Sequence, residues 1–159
     1  MSVLAVIRPD SWNFPLLLHV FGAMILVGGL VTAASALFVG WKRSTPADAL
    51  GFGRLGFRAL LYAALPGWFL MRFAGEWIAV REGWDDVEEE PAWLGIGYIT
   101  GEAGGLLLLI SVILAGLGVR SLKKSGADSS TMIRVSTVLV AIVLVAYLVA
   151  MWAMSAKPD

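Results

Sequence analysis

No cysteine occurs in the 159 residues, and there is one histidine, His19. The first absence excludes disulfides, thiolate metal sites, iron–sulfur clusters and a cysteine nucleophile, and it leaves compartment unreadable from redox chemistry. The second excludes a two-histidine zinc motif and a haem held by two histidines of one chain. Charge is also scarce. Only 15% of residues are Asp, Glu, Lys or Arg, against about 25% in soluble domains. The 12 cations and 12 anions cancel, so no basic field is available for nucleic acid, and no nucleic-acid motif is present. GxSxG, HExxH and P-loop signatures are missing as well. An enzyme built on this chain would be a membrane oxidoreductase relying on a bound cofactor.

What replaces charge is apolar surface, at 58% of residues against about 45–50% in soluble domains. A bilayer span needs about 20 mostly apolar residues at roughly 1.5 Å of rise each, and four stretches qualify, at about 15–41, 55–80, 93–119 and 132–155. Ala34-Ser35-Ala36 resembles a signal-peptidase site, but the apolar run continues to Trp41, too long and too weakly flanked by basic residues for a cleaved signal. Short connections make sequential spans antiparallel neighbours, so the expected fold is all-α, one membrane domain forming an up-and-down four-helix bundle.

Lys and Arg collect in cytoplasmic loops. Lys42, Arg43, Arg54, Arg58, Arg120, Lys123, Lys124 and Arg134 fall on one side, whereas the loop after the second span carries Arg81 with Glu82, Asp85, Asp86, Glu88, Glu89 and Glu90. Both termini and the acidic loop are therefore expected outside, in a multi-pass protein of a bacterial or archaeal cell membrane. Trp12, Trp77, Trp84, Trp93 and Trp152 mark the outer boundary and Trp41 the inner one. The acidic run lacks EF-hand spacing and reads as a solvated loop. The connections at 42–53 and 123–130 read as polar turns.

Gly97, Gly101 and Gly105 recur at four-residue spacing in the third span, widened by Gly104, and predict a small-residue packing groove. Pro66 predicts a kink or a broken backbone bond in the second span. The fourth span has no glycine and is expected to face lipid or a partner subunit broadly.

Ionisable groups at membrane depth cost about 2.5–3.5 kcal/mol each near the centre, so each calls for a reason. Arg58 can snorkel to cytoplasmic headgroups. His19, Arg72, Glu76 and Glu102 lie on three spans, all in the outer half. Arg72 and Glu76 are four apart and share a helix face, and Glu102 is roughly 13 Å below the Trp93 boundary. Their meeting would give either a closed, charge-neutral lock between helices or a functional site. As a site, His19, Glu76 and Glu102 could hold a divalent metal, the set could relay protons, or His19 could bind haem iron with Met24 or Met71 opposite. Two further readings are a structural or assembly subunit of a larger complex and, with homo-oligomerisation, a transporter or channel protomer.

The first span, Leu17-Leu18-His19-Val20-Phe21-Gly22-Ala23 followed by Gly28-Gly29, resembles the His-then-double-glycine opening of the copper-resistance D-like group of small membrane proteins. Leu65-Pro66-Gly67, Ala74-Gly75 and Trp93-Leu94 are similar to an uncharacterised integral membrane family of that group. The resemblance implies copper handling or haem-dependent protoporphyrinogen oxidation, with His19 as the metal-side residue. The J-type protoporphyrinogen oxidases of the group carry a third-span lysine, where this chain has Glu102.

Overall fold

The structure is a computed structural model that describes residues 10–42, 45–84, 91–128 and 130–157. Asp85 to Glu90, Arg43 and Arg8 lie outside the described residues, as does the Trp12 side chain. The described residues form helices and no strand: α1 is Asp10–Lys42, α2 Pro46–Ala59, α3 Leu65–Glu82, α4 Ala92–Ser125 and α5 Thr131–Ala156. A π-helical turn, Leu60–Ala64, joins α2 to α3 in one continuous rod, which makes four rods among the described residues.

Three of the four, Asn13–Lys42, Ala92–Ser125 and Thr131–Ala156, are long and apolar enough to cross a membrane. The rod of α2 and α3 is not in that group, because Arg54, Arg58, Arg72, Glu76 and Arg81 punctuate it. Its first half also corrects the expectation of a polar turn before residue 53. Thr45 caps it by accepting a bond from the Asp48 N–H at 3.2 Å, Pro46 occupies the first turn where no N–H is needed, and Asp48 complements the helix dipole there. Gly51, Gly53 and Gly56 have the spacing of a dinucleotide-binding loop, but they lie inside α2 with no strand before it, so they build no phosphate cradle.

Leu16, Glu82, Trp93 and Ser155 line one cleft, so the start of α1, the end of α3, the start of α4 and the end of α5 share one end of the bundle. At the other end Gly53 of α2 faces Val119 and Leu122 of α4 and Ile133 of α5. Neighbouring rods are thus antiparallel, around a core of Leu26, Leu30, Leu37, Leu60, Leu108, Val140 and Val143. Outside it, Val31, Phe73, Ile99, Leu106, Ile113, Ile142, Val145 and Val149 stand exposed. An apolar perimeter on an apolar core is what lipid, and not water, accommodates. α5 meets its expected role only in part: one face is exposed, while Ile133, Ser136, Val140, Val143, Tyr147 and Ala153 pack inward.

Close backbone approach occurs between α1 and α3. Gly22 abuts the Met71 backbone, Gly67 abuts Leu26, and Gly29 abuts Ala64 of the π turn, with no room for a Cβ at any of the three. The glycines of α4 act differently from the single groove expected. Gly97 and Gly104 receive Met154 and Tyr147 of α5, whereas Gly101 and Gly105 receive Arg72 and Trp68 of the α2–α3 rod. These are sockets for large side chains facing two neighbours.

Pro66 explains the π turn. Its ring cannot donate and would crowd the carbonyl four residues back, and one extra residue in the turn relieves both problems. The Leu65 N–H reaches Leu60 O, the five-residue bond of a π turn. Beyond this point the rod keeps α1 but loses α4: α2 packs on both α1 and α4, whereas α3 packs on α1 and touches α4 only sparsely. A cleft opens where α3 and α4 part.

Candidate functional site

The cleft has a volume of about 450 Å³ and is lined from four helices, including His19, Met24, Met71, Arg72, Tyr147 and Met154. It begins about one helical turn above the Leu26 level of the core, since Gly22 and Met71 face each other there.

His19 enters over Gly75, where a side chain would collide with the imidazole. Its Nδ1 lies 2.8 Å from the carbonyl oxygen of Met71. A carbonyl only accepts, so Nδ1 carries the proton and donates, leaving Nε2 as a basic nitrogen. Nε2 has no hydrogen-bond partner among the described residues.

Arg72 is the hub of the charged set. Its Nη1 donates to Glu76 Oε2 at 2.6 Å and its Nε to Glu102 Oε1 at 2.7 Å, with Tyr98 beneath the guanidinium, 5.5 Å from ring centroid to Cζ. Side-chain exposure is 26% for Arg72, 48% for Glu76 and 66% for Glu102, so the carboxylates stand on the outward side of the α3–α4 gap. The pair with Glu102 ties α3 to α4, alongside Trp68, which packs on Gly105 and bonds the Gly101 carbonyl. One guanidinium faces two carboxylates, which leaves one surplus negative charge when both are ionised.

Arg72, Glu76 and Glu102 therefore come together as expected, and His19 does not join them. Among the described residues no three His, Asp or Glu side chains are grouped closely enough to hold a metal ion. The three residues expected to hold a metal, His19, Glu76 and Glu102, are not brought together: Arg72 pairs with both carboxylates, and His19 gives its Nδ1 proton to the Met71 carbonyl with Nε2 left open. What gathers around His19 is softer, with Met24, Met71, Met151 and Met154 on the same cleft wall.

Sequence reasoning missed Tyr147. It is 3% exposed, it lines the cleft, and its hydroxyl is buried without a hydrogen-bond partner. The neighbouring Trp68 indole is committed, donating to the Gly101 carbonyl at 2.9 Å. A tyrosine on a glycine-free apolar helix carries no spacing signal, so only packing reveals it. At the mouth, Trp84 and Trp93 meet edge to face at 5.4 Å, Trp84 donates to Glu82 at 2.8 Å, and the Lys157 ammonium sits 4.8 Å from the Trp93 ring centroid.

Comparison with protein-family models, with curated proteins and with solved structures finds no match to this chain.

Proposed function

We propose that this chain is a four-span integral membrane protein, with both termini outside, whose outer-half cleft binds a small, mostly apolar ligand or cofactor by its polar end. The α2–α3 rod is the remaining span, its Arg54 and Arg58 exposed at the cytoplasmic end and able to snorkel. Arg72 there carries two carboxylate partners at membrane depth. One observation carries the binding reading: a basic imidazole nitrogen and a buried, unsatisfied hydroxyl belong to one apolar cleft. Buried polar atoms are nearly always satisfied, so a missing partner points to a ligand.

The test is extraction and mass spectrometry of molecules that co-purify with the protein, compared with an Ala23→Trp variant that fills the cleft. A bound small molecule lost in the variant supports the reading, and identical extracts from both proteins defeat it. A Soret band abolished by His19→Ala would identify the ligand as haem, held at Nε2 with a cleft methionine available opposite.

A second reading, a structural subunit of a larger complex, draws on the Arg72–Glu102 bolt. It predicts co-purification with a stoichiometric partner whose loss follows Arg72→Leu.

A further inference from the structure

The end of the bundle away from the cleft carries positive charge without counter-ions. Of the eight cations on that side the structure describes all but Arg43, and among the described residues none of them forms an ion pair. Two of them are gathered at one ring. Lys42, in the last turn of α1, places its ammonium 5.0 Å from a ring centroid of Trp41, and Arg134, in the first turn of α5, places its Cζ 5.9 Å from the Trp41 ring. Each cation gains from the indole, but two like charges at one ring repel each other unless an anion lies between them.

Phe38 connects this pair to an apolar groove. Its ring meets Trp41 edge to face at 6.3 Å, lies 5.8 Å from the Lys42 ammonium, and lines a groove of about 290 Å³ between α1 and α5 with Ala34, Ser35, Thr137 and Ala141. From Phe38 and Thr137 to Ala34 and Ala141 the groove runs one helical turn, roughly 6 Å, away from the charged pair. Both helices are among those long and apolar enough to cross a membrane. Small side chains at 34, 35 and 141 leave the space between them open to what lies outside the bundle.

We propose that the cation pair and the groove together bind one anionic phospholipid of the leaflet at the basic end, its phosphate between Lys42 and Arg134 and the upper part of one acyl chain in the groove. The site lies apart from the cleft and does not depend on what fills it. Ammonium and guanidinium are both good phosphate binders, and an anionic head supplies the counter-charge that this end lacks. Trp41 belongs at headgroup level, where interfacial indoles sit. A soluble phosphate would use the cations and leave the groove empty. Phosphatidylcholine would fill the groove but bring a third cation to a place that already holds two.

The experiment is native mass spectrometry of the full chain, delipidated in detergent and titrated with palmitoyl-oleoyl phosphatidylglycerol, with phosphatidylcholine of the same chains as competitor. Expected are one phosphatidylglycerol held in preference to phosphatidylcholine, and a Kd weaker by roughly tenfold or more when Lys42→Gln and Arg134→Gln are combined. Lys123→Gln combined with Lys124→Gln removes as much charge from the same end, outside the groove, and should bind as the parent does. Ala141→Trp keeps both cations but fills the groove, and should lose the lipid as well. Lys42, Arg134 and Ala141 are all exposed, so these changes disturb no core. A thermal midpoint raised by phosphatidylglycerol in the parent and not in Ala141→Trp gives a second readout that needs no charge change. The proposal is overturned if phosphatidylcholine binds equally, if either the Lys42–Arg134 double variant or Ala141→Trp keeps parental affinity, or if the Lys123–Lys124 double variant weakens binding as much, which would show a general field of the basic end. Displacement of the lipid by glycerol phosphate at comparable concentration would also overturn it, making the pair a site for a soluble anion.

Discussion

Tyr147 and Arg72 are opposite cases of a polar group placed among apolar ones. Without a ligand the Tyr147 hydroxyl is an unmet donor, and a buried group in that state costs about 1–3 kcal/mol. Tyr147→Phe should therefore leave the ligand-free protein as stable as before, or raise its thermal midpoint in detergent. A fall worth more than about 1 kcal/mol would mean that the hydroxyl already has a partner. Arg72 satisfies two carboxylates at once. Arg72→Leu strands both and should destabilise by about 2–3 kcal/mol, whereas a triple variant that adds Glu76→Gln and Glu102→Gln should recover most of the loss. Thermal unfolding of the three proteins decides it; equal loss in single and triple variants would show that the guanidinium matters through packing on Tyr98 and Gly101 and not through charge.

Among the elements, α1 and α3 depend on glycine where their backbones touch. Gly22→Ala places a methyl against the Met71 backbone, which cannot give way as a flexible side chain would. Gly28, on the same helix, has nothing within 4 Å of where its Cβ would be. Gly28→Ala should accordingly stabilise by about 0.5–1 kcal/mol through helix propensity, while Gly22→Ala destabilises and enlarges the separation of α1 from α3. Chemical unfolding of the pair checks this, and equal behaviour of the two variants would contradict the close approach. The π turn belongs to the same scale. Removing one of its residues, Ala63, should restore regular α geometry with α2 and α3 still in register, because the π turn absorbs one residue locally, and should lower the thermal midpoint by bringing the Pro66 ring back against the preceding turn. Crosslinking of α3 to α4 through cysteines introduced at 72 and 102 should persist in the deletion variant, and its loss would show that the π turn sets the face of α3.

For the whole molecule the testable claim is orientation. The absence of cysteine makes single introduced thiols unambiguous reporters. Ser155, at the end of α5, is expected outside, and Ser125, at the end of α4, inside. An impermeant maleimide should label Ser155→Cys in intact cells and Ser125→Cys only after permeabilisation. The reverse pattern would invert the bundle and put the cleft in the cytoplasmic half.

The helical class and three apolar rods were readable directly, because span length and hydropathy are local quantities that each stretch carries in itself. The Arg72–Glu76 pair was readable for the same reason, four residues being one turn. Glu102 could be assigned a matching depth by counting, which is why it was expected beside Arg72 and is found there. The four-residue spacing of Gly97, Gly101 and Gly105 was visible, but not their division between two neighbours, since spacing defines a stripe and not what packs on it. The helix at 46–59 was hidden by its glycines, whose weak propensity is outweighed by the Thr45 cap and by contacts with α1 and α4. Tyr147 gave no local signal, and its role depends on three other helices leaving its hydroxyl without a partner. His19 was singled out by being alone of its kind, yet only the position of the Met71 carbonyl decided which nitrogen is committed. Periodicity and composition determine what each helix is; which side chains meet, and which polar atom is left over, depends on how the helices pack, and no single helix contains that information.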